Sequence, residues 1–598
     1  MYKKHLKSVL CALLGTTIAF STTVTAFASE YNSNEILSSV KMVDGQAVLV
    51  KNENIKSDKL RLGSPLLKSV VLPSSYNLVD EGCVSSIKKQ NPYGTCWAFS
   101  DLASLESNII RSGNASKDID LSEKHLINFN YNGADSNSDK SLFAGSDTYS
   151  SLGYSPFQVG GNSYMTASTL MRRYGAVDEE KAPYEFSGGT TVDSSLRTAS
   201  DIYLKDAYFL PETVEFEHND YGEVTSQKLL DSNTVANSIK TIKQFMMEYG
   251  AVSSSYYCSD AMSGSVTNDK YWNSANNSYY FNAETSNEIS NHGITLVGWD
   301  DNYSKNNFTI APPADGAWIV KNSWGSNWGN DGYFYLSYYD LSISNSVVFI
   351  AEDAKYKTDG STVHEYENIY QYDGVTFGDA QIRGTGYNYS AANFFTARDN
   401  EILEAISTCS TYENITVNYE IYTDVTSTVD PTKGTLAAKG SKSFELAGYY
   451  TIPLDEGINL DKGEKYSVVI KISFNSNGYN YTILPCEIAY GGYSEISVSS
   501  GQSSYCSQGT WRSITSSTTV LGCNVGNAIV KAYTNDILYG DVDSDGNVTV
   551  KDATLLQKYL VSVETLSEKQ LLSADADKNG NVDIKDSTLI QKISASLI

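Results

Sequence analysis

The clearest helical pattern of apolar and polar positions in the chain begins at Cys96. From there, apolar residues recur at helical spacing until Gly113, and glycine commonly ends helices. The apolar positions are Ala98, Phe99, Leu102, Leu105 and Ile109. This spacing predicts a helix that starts at Cys96 and buries one face.

The pattern around this helix divides the chain into regions. Residues 72–353 mix helical periodicity with strand patterns rich in Gly, Trp and Tyr, which predicts an α+β domain. Residues 356–535 show short alternating runs, for example 416–422 and 466–472, separated by turn residues, and predict an all-β sandwich. The tail, residues 538–598, contains a duplication at a spacing of 34 residues (541 to 575). Several domains agree with a length of 598 residues, which exceeds one hydrophobic core.

The first 28 residues have the features of a signal peptide. Three lysines precede an apolar run at 9–20, and Ala26-Phe27-Ala28 is a small-residue cleavage signal. A membrane anchor is the alternative, but the apolar run is too short to span a bilayer, and no later run is long enough. Residues 29–71 are polar and resemble a short propeptide or linker. We therefore expect an exported protein without a membrane span.

Composition narrows the classes of partner. The chain has 44 basic and 70 acidic residues, a formal net charge of −26. Such a surface repels phosphate backbones, and no dense basic stripe follows the first residues, so nucleic-acid binding is excluded. Acidity alone identifies no substrate.

Cysteine usage permits a free thiol. Of eight cysteines, Cys11 lies in the signal peptide, which leaves an odd number, seven, in the exported chain. At least one thiol must then stay unpaired or pair between chains. Cys409, Cys486, Cys506 and Cys523 could form up to two disulfides in the later region, with the connectivity open.

Cys96 has the setting of a nucleophile. At a helix start, backbone N–H groups and the helix dipole should lower the pKa of its thiol. A buried structural cysteine is the alternative. However, the segment from Gln90 to Ser100 resembles the nucleophile signature of papain-like cysteine peptidases, and Leu121-Ser122-Glu123 matches a further family motif. The resemblance implies that Gln90 joins the Cys96 backbone N–H in an oxyanion hole.

A thiol nucleophile needs a base, and the chain has five histidines. His5 belongs to the signal peptide, His125 to a presumed surface helix, His218 to an acidic loop, and His364 lies beyond the peptidase region. His292 opens an apolar strand, as the catalytic histidine of the family does, and the resemblance gives it that role. A hydrogen-bonded core histidine is the alternative.

The block from Trp318 to Gly325, followed by Trp328-Gly329 and Asp331-Gly332-Tyr333, resembles the family segment around the orienting asparagine. The resemblance implies that Asn322 orients the imidazole and that Trp324 shields their hydrogen bond. An aromatic-rich core strand would explain the tryptophans but not the ordered string.

Substrate contacts follow from weaker similarities. Gly160-Gly161 resembles the glycine pair that binds the extended substrate backbone, with Trp324 also beside the substrate. By the same similarity, Ser255 and Gly293 face the main specificity pocket. The glycines could equally be turn residues.

The chain also departs from the family. Tyr93 replaces the cysteine that usually lies three residues before the nucleophile, so the usual disulfide is missing. Cys96 and His292 are 196 positions apart (292 minus 96), more than the usual separation of about 130–150. We assign the extra length to insertions at 132–158 and 186–233, neither of which removes a catalytic group. Residues 29–71 are too short for the long helical inhibitor of many relatives.

Residues 365–374 resemble the start of the lectin-like domain that follows bacterial papain-like peptidases. The sequence contains no diagnostic sugar site, and its many tyrosines suit both sugar stacking and ordinary strands. A glycan ligand therefore stays open.

The duplicated tail carries two acidic loops with the spacing of calcium ligands, and Gly546 and Gly580 provide the sharp turns. Asn547 and Asn581 would contribute backbone carbonyls. An acidic turn would not repeat these positions twice. The predicted ligands are Asp541, Asp543, Asp545, Asn547 and Asp552 in the first loop, and Asp575, Asp577, Asn579, Asn581, Asp583 and Asp586 in the second. We expect one apolar helix after each loop, 553–560 and 587–594, without a helix entering either loop.

This tail resembles a type I dockerin, whose partner is a cohesin domain of a scaffold protein. The near-symmetric pairs predict docking in two orientations. The predicted recognition residues are Val550, Lys551, Gln557, Lys558, Ile584, Lys585, Gln591 and Lys592.

The sequence thus predicts a multidomain protein: an α+β papain-like peptidase with a helical and a β-barrel-like subdomain, a lectin-like β-sandwich, and a small α dockerin. The resemblance implies a secreted endopeptidase acting through an acyl-enzyme, with two structural Ca²⁺ and no catalytic cofactor. It also implies attachment to a cell-surface or free cellulosome of an anaerobic bacterium. An inactive papain-like scaffold and acyl transfer to amines are the alternatives.

Overall fold

The computed structural model describes two early strands, β1 (Ser38–Val43) and β2 (Gln46–Lys51), and then residues 71–597 with gaps. The predicted signal peptide and most of the predicted propeptide therefore lie outside the described residues. Within the described part, no helix is both long enough and apolar enough to cross a bilayer. The gaps are 133–147, 150, 152–153, 187–188, 220–223, 260–269, 287, 353–354, 357–361, 375–380, 477, 489–493 and 544.

Eight α-helices are described. They are α1 (Cys96–Arg111), α2 (Glu123–Tyr131), α3 (Pro156–Val159), α4 (Ser163–Met171), α5 (Ser232–Tyr249), α6 (Val550–Leu560), α7 (Glu568–Ala574) and α8 (Ile584–Ser594). Short 3-10 helices occupy Glu179–Lys181, Ser194–Leu196 and Lys305–Asn307.

The strands fall into two groups along the chain. The first group is β3 (Ser75–Asn77), β4 (Thr148–Tyr149), β5 (Leu204–Phe209), β6 (Val214–His218), β7 (Val224–Leu229), β8 (Val252–Tyr256), β9 (Trp272–Asn273), β10 (Ser278–Tyr279), β11 (His292–Asp300), β12 (Ala317–Lys321), β13 (Tyr333–Ser337), β14 (Ser344–Ala351), β15 (Lys355–Tyr356) and β16 (Thr362–Val363).

The second group forms the region after residue 366. It is β17 (Asn368–Tyr370), β18 (Ile382–Thr385), β19 (Ser390–Thr396), β20 (Glu401–Ser410), β21 (Ile415–Thr423), β22 (Thr435–Phe444), β23 (Ala447–Leu460), β24 (Lys465–Ser476), β25 (Tyr479–Leu484), β26 (Cys486–Ile488), β27 (Ser494–Glu495), β28 (Ser503–Ser507), β29 (Thr510–Ser513), β30 (Thr519–Val520), β31 (Cys523–Ala528) and β32 (Lys531–Asp536).

Helix α1 begins at Cys96, as predicted, and Gly113 follows its end with a positive φ of 79°. The helix is buried on all sides and not on one face only, because it packs against β8, β11 and β14 on one side and against α2 and α4 on the other. Its polar side chains are therefore buried with partners. Ser104 Oγ, for example, donates to the carbonyl of Ala251 at 2.6 Å.

One thirteen-stranded sheet runs through both large parts of the chain, in the order β17-β32-β20-β23-β5-β14-β8-β11-β12-β13-β10-β9, with β3 beside β11. Strand β5 makes the connection: it pairs with β14 on one side and with β23 on the other, where Phe209 lies opposite Ala447. The predicted insertion 186–233 thus contains the strand that joins the two parts, a role that its sequence pattern did not indicate.

The later region is a sandwich, as predicted. Its second sheet has the order β18-β25-β24-β19-β28-β29, with β21 on β24 and β22 on β21. The predicted runs 416–422 and 466–472 lie within β21 and β24. Inward-facing residues such as Val417, Ile470 and Ile406 form the apolar core between the sheets.

In the tail, helices α6 and α8 pack together around Ala553, Leu556 and Ile590. They contain the predicted stretches 553–560 and 587–594. The prediction of no entering helix was wrong for the second loop, because α7 ends at Ala574, directly before Asp575. A capping box at Ser567 and Gln570 starts this helix.

Three further expectations need correction. His125 is fully buried, because the segment carrying Gly175 and Leu196 covers helix α2, and its Nε2 lies 2.7 Å from the Leu196 carbonyl. His218 belongs to strand β6 of a hairpin with β7, not to a loop. The seven cysteines that follow the predicted signal peptide, all of them described residues, form no disulfide, and Cys409, Cys486 and Cys506 are instead buried.

The buried carboxyl of Asp101 on α1 makes a testable contribution to pH-dependent stability. Burial raises its pKa to about 6, although hydroxyls of Ser253, Thr166 and Ser163 donate to it at 2.6–2.8 Å. A raised pKa in the folded state gives stability that is complete below about pH 4 and lost as the pH rises through 6. We expect Asp101→Asn to flatten the fall of the melting temperature between pH 4 and pH 7.

Thermal unfolding at a series of pH values measures this slope. Asp118→Asn, a change at an exposed carboxyl, is the control and should keep the wild-type slope. Equal slopes for Asp101→Asn and wild type would contradict the assignment.

Candidate active site

Cys96 is the first residue of helix α1 and is almost fully buried. Burial raises the pKa of its thiol to about 11, although the backbone N–H groups of Gly293 and Trp97 act in the opposite direction. The expectation of a lowered pKa from the helix start alone was therefore wrong, because desolvation of the thiolate outweighs those N–H groups. The sulfur needs a neighbouring base to lose its proton.

His292, the first residue of β11, is buried, and the residue after it, Gly293, lies against the backbone of Cys96. Burial lowers the pKa of its imidazole to about 4, although the hydrogen bond with Asn322 raises it. Its Nε2 lies 2.8 Å from Asn322 Oδ1. The ring is therefore neutral, and its second nitrogen, Nδ1, is the one that can act as a base.

The amide of Asn322 fixes which ring nitrogen carries the proton. Its Oδ1 accepts the backbone N–H of Ser323 at 2.8 Å, so the oxygen and not the nitrogen of the amide faces His292. Nε2 must then donate to Oδ1, and Nδ1 keeps its lone pair. Antiparallel pairing of β11 with β12, in which Thr295 lies opposite Lys321, brings the two residues to the same end of the strand pair.

Tryptophan rings cover this pair. The Trp324 ring lies 4.9 Å from the His292 ring, centroid to centroid, and Trp328 packs edge-on against Trp324, also at 4.9 Å. Trp272 stacks on Trp328 at 5.6 Å. These rings keep water from the His292–Asn322 hydrogen bond and hold it in a low-dielectric setting.

Gly293 places the histidine against the nucleophile. A Cβ at this position would lie 2.8 Å from Ser100 Oγ and 3.0 Å from the carbonyl carbon and oxygen of Cys96. Any larger side chain at this position would have to displace Ser100 Oγ and press on the Cys96 backbone, so glycine allows the close approach of strand β11 to the start of helix α1. The backbone contact brings His292, the preceding residue, beside Cys96.

Gln90 is held next to the same site. Its backbone N–H donates to the Ser323 carbonyl at 2.9 Å, and Ser323 Oγ donates to its Oε1 at 2.6 Å. Its Nε2 donates to the Tyr93 carbonyl at 3.0 Å, and its own carbonyl accepts from Tyr184 Oη at 2.8 Å. The side chain is buried and its orientation is fixed from both ends.

The predicted substrate residues lie around this centre. Gly161 lies on the indole of Trp97, where a Cβ would come within 2.3 Å of the ring, and the Gly160 carbonyl accepts from Tyr131 Oη at 2.7 Å. Ser255 lies opposite Gly293 across β8 and β11. One member of each predicted pair therefore contacts residues 96–97: Gly161 meets the Trp97 ring and Gly293 the Cys96 backbone.

Tyr93 stands where the family carries a cysteine, and the structure fills the place of the missing disulfide with aromatic packing. Its ring lies 4.5 Å from Phe186 and 5.6 Å from Phe157, and Tyr184 joins the same cluster. Phe186 belongs to the predicted insertion 186–233. Aromatic residues scattered along the chain gave no sequence signal for this contact.

A buried ionic cluster behind the site was not predicted. Lys88 Nζ donates to Glu106 at 2.9 Å and to Glu123 at 2.8 Å, and Lys321, the residue before Asn322, donates to Ser85 Oγ at 2.9 Å. Burial lowers the pKa of Lys321 to about 8, while Glu106 raises it. The cluster joins β12 to helix α1. Glu123 and Lys321 lie in sequence motifs, but neither motif shows that the two segments meet.

The two acidic loops each gather three predicted ligands within 4.8 Å of one another: Asp541, Asp543 and Asp552 in the first, Asp575, Asp577 and Asp586 in the second. Burial and neighbouring carboxylates raise the pKa of Asp541 and Asp543, a cost that a cation would remove. The set therefore fits a hard divalent cation.

Other predicted ligands and recognition residues have definite positions in the tail. Asp583 caps helix α8, since its side chain accepts the Lys585 N–H. Val550 and Ile584, at equivalent places in the two halves, are 61% and 59% exposed. Both side chains are therefore accessible from solvent.

Family models match three parts of the chain. Residues 72–351 match the model described as Papain family cysteine protease, residues 369–534 the Lectin like domain, and residues 539–593 the Dockerin type I domain. These matches confirm the resemblance seen in the sequence.

Curated relatives match the first of these parts. A probable cysteine protease of Arabidopsis thaliana is 24% identical over 276 residues, 46% of this chain and 60% of the plant protein. Procathepsin L of Felis catus is 25% identical over 276 residues, 45% of this chain and 61% of the cat protein. The chain thus spans less than two thirds of the length of either relative.

Solved structures extend the likeness to the lectin-like part. The clostridial cysteine protease Cwp84 after propeptide cleavage has a TM-score of 0.57 at 24% identity, covering 78% of this chain and all of that one. The protease and lectin-like domains of Cwp84 from Clostridium difficile give 0.56 at 24%, with 81% and 91% covered. They confirm the predicted fold class.

Gly161 offers a test of how tightly the site is packed. We expect Gly161→Ala to lower the free energy of unfolding by about 1–3 kcal/mol, because the new methyl group must displace the buried Trp97 indole. Gly94→Ala is the matched control, since a Cβ there meets no atom within 4 Å. Thermal unfolding followed by tryptophan fluorescence measures both variants. Equal melting temperatures would show that Trp97 yields without cost.

Proposed function

We propose that this chain, in which a papain-type domain is followed by a lectin-like domain and a type I dockerin, is an exported cysteine endopeptidase that a scaffold protein holds through its dockerin. The observation that carries the peptidase assignment is the buried hydrogen bond from His292 Nε2 to Asn322 Oδ1, next to Gly293, which lies against the Cys96 backbone. This bond leaves Nδ1 able to accept the proton of the Cys96 thiol, which cannot ionise alone.

Burial determines how the first proton moves. Burial raises the pKa of Cys96, which disfavours an isolated thiolate. It lowers the pKa of His292, which disfavours an isolated imidazolium. The proton therefore passes directly from Sγ to Nδ1, so that the two charges form together and the net charge of the desolvated site does not change. Asn322 keeps the ring in place during the transfer.

The remaining steps use the groups around this pair. The thiolate attacks the scissile carbonyl carbon, and the developing oxyanion accepts hydrogen bonds from the Cys96 backbone N–H and Gln90 Nε2. His292 then protonates the leaving amine, the C–N bond breaks and an acyl-enzyme remains. Water, deprotonated by His292, hydrolyses the thioester and restores the thiol.

Replacement of the nucleophile tests the peptidase. We expect Cys96→Ala to abolish hydrolysis of denatured casein, and His292→Ala to lower kcat/KM by a factor on the order of 10³ or more. Asn322→Ala should cost less, since it orients the base and forms no covalent bond. The rates are measured from the new peptide amino termini, detected with an amine-reactive reagent. An epoxide inhibitor of thiol peptidases serves as control. Cleavage by Cys96→Ala at the wild-type rate would refute the assignment.

The dockerin part supports attachment to a scaffold. Each acidic loop would hold one Ca²⁺ through its aspartates, which would tie the loop to the helix that follows, and the metal supplies charge neutralisation and no catalysis. The exposed Val550 and Ile584 faces, together with their neighbouring lysines, suit a cohesin domain. Such attachment places the protein outside the cell, in a cellulosome or on a surface. A glycan is the ligand class that a lectin-like domain would take.

Calcium binding has its own test. We expect the wild-type chain to bind two Ca²⁺ and Asp541→Ala or Asp575→Ala to bind one each, because each change removes a carboxylate from one cluster. Isothermal titration counts the ions. Glu564→Gln, between the two loops, is the control and should keep two. Two ions in both loop variants would contradict the assignment of the loops.

A further inference from the structure

One phenol hydroxyl binds both ends of the loop that precedes helix α1. Tyr184 Oη lies 2.8 Å from the carbonyl oxygen of Gln90 and 2.6 Å from Oγ1 of Thr95. A phenol hydroxyl has a single hydrogen and a carbonyl oxygen can only accept, so Tyr184 donates to Gln90 and accepts from Thr95. The hydroxyl therefore links residue 90 directly to residue 95.

These two residues carry the two donors that the proposed reaction needs. Gln90 supplies its side-chain Nε2, and one hydrogen of that amide is free for a ligand while the other is donated to the Tyr93 carbonyl. Thr95 is followed directly by Cys96, whose backbone N–H is the second donor. That N–H belongs to the planar peptide unit between Thr95 and Cys96, so a fixed Thr95 also fixes the direction of the N–H.

The loop itself holds these residues less tightly than the phenol does. Residues 91–94 connect them, and a Cβ at Gly94 would meet no atom within 4 Å. Within the loop, the Tyr93 N–H donates to the Gln90 carbonyl at 3.2 Å, a longer bond than the one from Tyr184. The phenol is therefore the firmer of the two links.

The hydroxyl of Thr95 is committed to this link and not to the helix. Thr95 is the N-cap residue of α1, and threonine at that position usually accepts a backbone N–H from the first turn. Here its side chain makes no capping bond, although the residue is fully buried. The sequence thus places a capping residue before Cys96, but the fold uses it to bind Tyr184.

Tyr184 is held in place from outside the loop. Its backbone N–H donates to the Glu179 carboxylate, and Ser122 of helix α2 donates through Oγ to the Ala182 carbonyl at 2.6 Å. Phe99 of α1 packs edge-on against its ring, with the centroids 4.9 Å apart. Burial raises the pKa of the phenol, so the hydroxyl keeps the proton that it donates to Gln90. The phenol is a fixed support against which both ends of the loop are set.

We propose that Tyr184 is a positioning residue for the oxyanion hole. Its hydroxyl, by binding Gln90 and Thr95 at once, sets the separation of the two oxyanion donors. The inference rests on the proposed peptidase function. Donors that already point to the place where negative charge develops stabilise the transition state without reorganisation, and a small displacement loses much of that effect.

Removal of the hydroxyl tests this role. We expect Tyr184→Phe to lower kcat about tenfold and to change KM by less than about twofold, because the donors act on the transition state and not on the bound peptide. The substrate is a chromogenic peptide anilide whose slow acylation makes KM a measure of binding. Thr95→Val, which removes the partner hydroxyl, should have a similar effect, and Thr95→Ser, which keeps it, should restore the wild-type kcat.

Tyr249→Phe is the matched control for the loss of a phenol hydroxyl. Tyr249 ends helix α5, and its carbonyl accepts from Asn108 Nδ2 near the far end of α1. Asn108 is twelve positions from Cys96 (108 minus 96), about 18 Å along the helix. This variant should keep the wild-type kcat.

A second background separates positioning from a general loosening of the site. Gln90→Ala removes one donor and should lower kcat on the order of 10²-fold. Once one donor is gone, the separation of the two no longer matters, so adding Tyr184→Phe should cost no more than about twofold. A general loosening would lower kcat by the same factor in both backgrounds.

The outcomes distinguish this proposal from the peptidase assignment. A wild-type kcat for Tyr184→Phe, a change confined to KM, or an equal loss in the Gln90→Ala background overturns the positioning role and leaves the peptidase standing. Cleavage of the anilide by Cys96→Ala at the wild-type rate overturns the peptidase itself. Circular dichroism checks the variants, and the comparison of Thr95→Val with Thr95→Ser decides if Tyr184→Phe does not fold.

Discussion

The burial of helix α1 on all sides is the constraint on which the site depends. A helix inside a protein must satisfy its polar side chains, and Asp101, Ser104 and Glu106 do so with fixed partners on the sheet and the neighbouring helices. These bonds set how far the helix extends along the sheet. Its first residue, Cys96, therefore ends against Gly293, where neither sulfur nor imidazole meets bulk water.

Much of this arrangement could be predicted from local patterns. The start of α1, the strands β21 and β24 and the two acidic loops follow from periodicity and spacing within short windows. The direction of the Cys96 pKa could not, because it depends on how much chain from elsewhere covers the thiol. For the same reason His125 was placed at the surface, although the segment around Leu196 encloses it.

Local patterns also could not predict the joint between the two large domains, because it is made by strands and side chains that are far apart in the sequence. Besides the β5–β23 pairing, Arg173 donates to the carbonyls of Tyr366 and Glu367 at 2.6 and 2.8 Å, and its guanidinium lies 3.9 Å from the Tyr203 ring. Cys409 and Tyr449 of the sandwich belong to the same apolar core as Phe209. The two parts that the sequence pattern separates as domains thus share one hydrophobic core.

The continuous sheet has a mechanical consequence. The tail leaves the sandwich directly after β32, and β32 is hydrogen-bonded along its length to β20 and β17 within that sheet. Tension applied at the tail acts along β32 and is resisted by several ladder bonds in shear at once, not one by one. Because β5 continues the same sheet to β14 and β8, the cleft and the sandwich should rotate together as one rigid body. A tether at one end therefore sets the direction in which the cleft faces at the other.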